Sequence, residues 1–180
     1  MARCALNGLS LPTMPEGLIE RMLDREGITG AKRELLLGRY QERRRQLREM
    51  LAQGSVQEIL CLPNPEAVQS GSVKLNLGAE MLEASVSYTP GEYAEHIAAI
   101  RELVNGEKNY HLTLLPQVPF RELQVFTLKD AVAVLRCQEP YTAFVFKNEI
   151  LTRSIFSYCD SLIEQFAADR YTTMQALSNV

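Results

Sequence analysis

The chain predicts an α/β (α+β) fold, a mixed β-sheet flanked by helices and preceded by an N-terminal helical arm. Three observations predict it. The first 54 residues show helical spacing of apolar positions; from residue 56 short apolar runs are broken by Pro and Gly; and the second half alternates strand and helix patterns, with three strands in succession before a last long helix. With 180 residues, 46% of them hydrophobic, the chain can bury a single core. The organisation expected is a helical arm or linker over 1–54, an α/β domain over 55–170 and a frayed tail over 171–180.

Pro15 and Glu16 suit the first turn of a helix, and Leu18, Ile19 and Met22 repeat at helical spacing until Gly27. A longer helix follows over 31–53 and stops at Gly54, with Leu36, Tyr40, Leu47, Met50 and Leu51 on one stripe that Arg43 and Arg44 interrupt. Strands are predicted at 56–62, 72–77 and 84–88, with a loop over 63–71. Thr89-Pro90-Gly91-Glu92 has the residues of a capping box, and the helix it opens carries Tyr93, Ile97, Ile100 and Val104 on one face to about Asn105. Further strands are predicted at 110–115, 123–128, 131–137 and 142–146, the middle pair joined by a Lys129-Asp130 turn. Asn148 caps the last helix, whose stripe is Leu151, Ile155, Tyr158, Leu162 and Phe166.

No run approaches the roughly 20 apolar residues that span a bilayer, and 1–15 lacks the charged-then-apolar order of a signal peptide, so a cytoplasmic location is expected. Cys4, Cys61, Cys137 and Cys159 form no C-x-x-C pair and read as free thiols, with no zinc or redox site. Net charge is −3, yet 32–53 holds seven basic residues (Lys32, Arg33, Arg39, Arg43, Arg44, Arg45, Arg48) against Glu34, Glu42 and Glu49; the segment is +4 and the remainder −7. Adjacent arginines point around a helix rather than along one side, so partial pairing with Glu42 and Glu49 is expected rather than a row of phosphate contacts. The helix–Gly–helix over 18–45 has too long a second helix for a helix-turn-helix.

Phosphate loops, nucleophile elbows and paired-histidine metal helices are missing, which points away from an enzyme and from any cofactor or metal. His96 sits beside Ile97 on the inner stripe of its helix, where a lone histidine is commonly structural and otherwise faces a cleft. Strand alternation sends His111 and Thr113 to one face and Tyr110 and Leu112 to the other, so one face of that strand is polar. Arg136 ends a strand and offers a permanent charge. His96, His111, Thr113 and Arg136 are therefore the candidate ligand-binding residues. Lys147 at a helix start reads either as an ordinary exposed lysine or as a residue kept for an anion.

The run Tyr93-x-x-His96-Ile97-x-x-Ile100, then Asn109-Tyr110-His111, Pro119-Phe120, the hairpin through Arg136, and the segment from Pro140 to Phe146 leading into a helix with Tyr158 resembles the C-terminal effector domains of bacterial helix-turn-helix regulators, including those built on a phospholipase D-like half. The helix around Tyr40-Gln41-x-Arg43 is similar to the linker helix of such regulators, and the resemblance extends over about 15–168. Catalytic phospholipase D-like members have a His-x-Lys pattern; here Thr113 stands at the lysine position, so the resemblance implies a non-catalytic module. It implies a ligand-sensing and dimerising effector domain, bound to DNA only through a separate N-terminal domain, with the 31–53 helix contributing to a homodimer and a small-molecule ligand possible. A small enzyme of unrecognised type and a purely structural scaffold are the alternatives; a cluster of perturbed carboxylates or histidines would favour the first, an arm-mediated dimer without a pocket the second.

Overall fold

A computed structural model describes residues 2–7, 9–75, 86–116, 123–128, 131–136 and 142–179. The chain forms a mixed sheet of six strands, in the order β3-β2-β1-β4-β5-β6. The strands are β1 (Ala2–Asn7), β2 (Val56–Cys61), β3 (Tyr110–Leu115), β4 (Leu123–Leu128), β5 (Ala131–Arg136) and β6 (Thr142–Phe146). The β1, β2 and β3 strands run parallel, while β4 is antiparallel to β1, and β5 and β6 continue the antiparallel half. The mixed sheet with flanking and N-terminal helices is the fold class the pattern predicts.

The helices are α1 (Leu18–Arg25), α2 (Gly30–Gln53), α3 (Pro65–Gln69), α4 (Pro90–Gly106), α5 (Glu149–Phe166) and α6 (Arg170–Ser178), with a 3-10 turn at Leu11–Thr13. Their ends are set by local chemistry. After α1 the chain closes a Schellman motif: Gly27, at φ 65°, donates its N–H to Asp24, and Ile28 donates to Leu23 at 2.9 Å. The capping box at α4 is formed, Thr89 accepting from the Glu92 N–H and Glu92 accepting from the Thr89 N–H. Asn64, Asn148 and Asp169 accept from N–H groups in the first turns of α3, α5 and α6.

Apolar side chains gather on both faces of the sheet. On one face Val56 and Leu60 of β2 and Tyr110 and Leu112 of β3 meet residues of α1, α2, α4 and α6; on the other, Ile59, Cys61, Leu115, Val125 and Val132 meet Cys159 and Leu162 of α5. Five of the six β2 residues are buried, the continuous run of a strand covered on both faces.

The first 54 residues differ from a projecting arm in two ways. Residues 2–7 form β1, which lies between β2 and β4 near the middle of the sheet. The α2 stripe of Leu36, Tyr40, Leu47 and Leu51 is buried in the same cluster as the sheet and α4, so α2 is a layer of this body. The segment expected to fray contains α6, with Thr173 and Leu177 buried, the latter to 1% exposure. Arg170 seats α6 by donating to the Asn105 and Glu107 carbonyls at the end of α4.

The predicted loop over 63–71 contains α3. Of the strands predicted at 72–77 and 84–88, positions 76–85 lie outside the described residues; what is described is one antiparallel bridge, Lys74 with Ser87, flanked by bonds from Leu75 to Val86 and from Tyr88 to Val73. The Lys129-Asp130 turn also lies outside them, as do Pro119, Phe120, Cys137, Pro140 and Tyr141. Of the cysteines, Cys61 is a buried free thiol and Cys159 is buried against the sheet. No helix among the described residues is long and apolar enough to cross a membrane.

Candidate functional site

Beneath α4, on the face of the sheet that also receives α1 and α2, lies a connected set of buried polar groups. Ser10 and Thr13 come from the turn that follows β1, Glu58 from the middle of β2, Tyr110 from β3, Tyr88 from the segment before α4, and His96 from α4 itself. Glu58 points to this face because it alternates with Ile59 and Cys61, which serve the other.

The hydrogen bonds run in one consistent direction. Tyr110 donates its hydroxyl to Glu58 Oε2 at 2.6 Å, and Ser10 donates to Glu58 Oε1 at 2.8 Å. Thr13 donates to the Ser10 carbonyl at 2.8 Å, so its Oγ1 accepts the 2.9 Å bond from His96 Nε2. His96 Nδ1 then accepts from the Tyr88 hydroxyl at 2.8 Å, which assigns a neutral ring protonated on Nε2. Tyr40 of α2 donates to the carbonyl of Met14, the residue after Thr13, at 3.0 Å. The 10–14 segment is thus hydrogen-bonded to α2, β2 and α4 together.

Electrostatics agree with the bonding. Burial pushes His96 down to about 3, a backbone hydrogen bond at Ser10 opposing it only in part, so the ring is neutral at ordinary pH. Burial likewise raises Glu58 above the usual carboxylate range, although the Tyr110 and Ser10 hydroxyls both favour its charged form. The Tyr88 phenol is raised well above its ordinary value, again chiefly by burial. Glu58 is 3% and His96 0% exposed. Beside the network, the buried Tyr93 hydroxyl has no hydrogen-bond partner among the described residues, and its phenol is raised by burial and by the nearby Cys61 thiol.

The four residues singled out by sequence do not come together. His96 lies under α4, whereas His111 and Thr113 alternate with Tyr110 and Leu112 and so lie on the α5 face, with the sheet between. His111 is exposed and Thr113 buried. Arg136 shares that face with Val132 and Val134, but β5 is four strands from β3, roughly 19 Å at the usual strand spacing. The row through His111 passes Gln57, Arg3 and Thr127 to Val132, and Arg136 is four residues further along β5. Ser10, Thr13, Glu58, Tyr88 and Tyr110 were not among the sequence candidates. A carboxylate inside the apolar run of β2 was the one available signal, since a buried charge requires partners.

On α2, Arg45 pairs with Glu42 at 2.8 Å and Glu49 at 2.6 Å, Arg33 with Asp24, and Arg44 with Glu16 while lying over the Tyr40 ring. These are the partial pairings of a solvated face. No group of three or more His, Cys, Asp or Glu that could hold a metal ion occurs among the described residues. No protein-family model, no curated protein and no solved structure matches the chain.

Proposed function

We propose that this chain is a ligand-sensing and dimerising effector domain of a transcription regulator, reaching DNA through a separate DNA-binding domain. One observation carries the reading: the hydrogen-bonded path from Tyr40 on α2 through the 10–14 segment to His96 on α4 and Glu58 in the sheet. In a sensor, a ligand that shifts α4 has to move a helix that leads elsewhere, and buried polar bonds of fixed direction transmit such a shift because breaking any one strands a donor or acceptor. The resemblance of α2 to a regulator's linker helix supports the same direction. The ligand is a small molecule entering at the carboxyl ends of β1, β2 and β3, the customary place in sheets of parallel strands, where Tyr93 holds an unused hydroxyl.

A thermal-shift screen against common metabolites, followed by hydrogen exchange, tests this. The expected result is a compound that raises the melting temperature and slows exchange in both α4 and α2, with Tyr93→Phe weakening the response. Slowing confined to α4, with α2 unchanged, removes the sensor reading, as does a screen in which no compound stabilises the chain.

A small enzyme is the second reading, favoured by the displaced titrations of Glu58 and His96 in one network. The nearly complete burial of both groups favours the first reading, because a reacting atom has to reach them. Turnover of any substrate that is lost in Glu58→Gln establishes the second instead.

A further inference from the structure

We infer that β6 is the seat of a homodimer, pairing antiparallel with the same strand of a second copy about a two-fold axis at Phe144. The inference rests on the dimerising half of the proposed function and replaces α2 as the surface. The apolar stripe of α2 that would have served is buried within its own chain.

The two edges of the sheet are unlike. At one edge, Tyr110, Leu112, Thr113 and Leu115 of β3 are buried, with α4, α5 and α6 all against the strand. At the other, Phe144 is 51% and Val145 65% exposed. Edge strands that stand alone in water are defended by a charge, a proline or a bulge. The sequence Thr142-Ala143-Phe144-Val145-Phe146 has no charge and no proline. Phe144 and Phe146 instead stack at 6.1 Å along one face.

The surface continues onto α5. Ile150, four residues after the strand, is 79% exposed, and beyond it one stripe of the helix exposes Ser154, Ser157, Tyr158 and Ser161, bordered by the exposed Glu149–Arg153 ion pair and by Glu164. Ser154 and Ser161 turn their hydroxyls back onto the Ile150 and Tyr158 carbonyls at 2.9 and 2.8 Å, which takes up their donors within the helix.

A second copy fits this edge better than a partner of other chemistry. In an antiparallel pair centred on Phe144, Ala143 faces Val145 and Thr142 faces Phe146, a smaller residue opposite a larger one at each position off the axis. The two Lys147 side chains stand at opposite ends, and the paired strands themselves bring no charges together. Exposed side chain at Phe144, Val145, Ile150 and Tyr158 amounts to roughly 400 Å² per protomer, half of the about 800 Å² each partner gives to a standard interface, and the strand backbone adds to it. A two-fold contact of this kind also closes on itself, so the exposed edge does not propagate into fibres.

Sedimentation of the wild-type chain, of the double variant Val145→Lys with Ile150→Glu, and of Leu35→Glu on the exposed side of α2 tests the surface. The expected result is a dimer for wild type and Leu35→Glu. The double variant should dissociate at least about a hundredfold more readily, since it sets charges into the interface, with an unchanged circular dichroism spectrum. Phe144→Cys tests the register: directly opposed residues lie about 4.5–5.5 Å apart at Cα, within disulfide reach. Mild oxidation should therefore cross-link this variant above the wild-type background. A monomeric wild type, a dimer broken by Leu35→Glu but not by the double variant, or a dimer that Phe144→Cys fails to cross-link overturns the inference. A monomer still stabilised by a metabolite removes this interface and leaves the sensor reading standing; a cross-linked dimer that no metabolite stabilises does the reverse.

Discussion

His96 and Glu58 oppose each other in how they couple stability to pH. His96 is held neutral with its titration depressed to about 3, while the unfolded ring takes a proton near its ordinary 6.5. Its contribution is therefore present above about 6.5 and is lost as pH falls toward about 3. Glu58 is raised, so its contribution is greatest below the ordinary carboxylate range and declines as pH rises through its folded value. Urea unfolding between pH 7 and pH 4 should show stability falling on the acid side with a His96 share of up to about 1.4 kcal/mol per pH unit. A His96→Gln variant should lose that share whatever its stability at pH 7, and an unchanged slope would show that the ring is not the coupled group. Thr13→Val removes the acceptor of the buried His96 Nε2 proton and should cost about 1–3 kcal/mol at pH 7, measured by the same unfolding. Little of this was legible in the sequence. His96 stood out as a lone histidine on an inner stripe, and both structural and site readings were open to it. Its partner Thr13 lies 83 residues away in the chain, and no local pattern marks Ser10 or Thr13 as its neighbours. For His111 and Arg136 to meet His96 requires a strand order that no residue pattern supplies, and the actual order separates them.

The elements whose ends are set by local chemistry are those the sequence locates best. Thr89, Pro90 and Glu92 mark the start of α4, Asn148 the start of α5 and Gly27 the end of α1, because capping and left-handed closure are satisfied by residues within one turn. Thr89→Ala should therefore cost about 1 kcal/mol by urea unfolding, a value near zero indicating that the box bonds are replaced by water. The elements that were missed are held by distant partners. The strand Ala-Arg-Cys-Ala-Leu-Asn has weak β propensity and no apolar alternation, and forms because β2 and β4 pair with it on either side. The α6 segment carries only a few apolar residues, but Leu177 enters the main cluster and Arg170 binds the end of α4. Leu177→Ala should lower stability by about 2–5 kcal/mol. Loss of less than about 0.5 kcal/mol, typical of a surface position, would return α6 to the frayed tail that composition suggests.

At the scale of the whole molecule, the parallel half β3-β2-β1 and the antiparallel half β4-β5-β6 meet only along the β1–β4 seam within the sheet. Helices α1, α2, α4 and α6 contribute to the cluster on one face of the parallel half, while α5 crosses the other face and touches strands of both halves. The two halves are thus joined by a short strand and one helix, and the polar network is anchored directly behind that strand, at Ser10 and Thr13. Deleting residues 1–8 should leave β2 and β4 with unpaired inner edges and release the segment that orients His96. Every other strand among the described residues already has its place in the sheet, and one inserted at the gap has to pair parallel on one side and antiparallel on the other. The truncated chain is expected to lose the single cooperative urea transition of the full chain and to melt gradually by far-ultraviolet circular dichroism, with two newly exposed strand edges and aggregation increased accordingly. A sharp transition with the slope of the full chain would mean that α5 alone holds the halves together and that β1 is dispensable to the sheet.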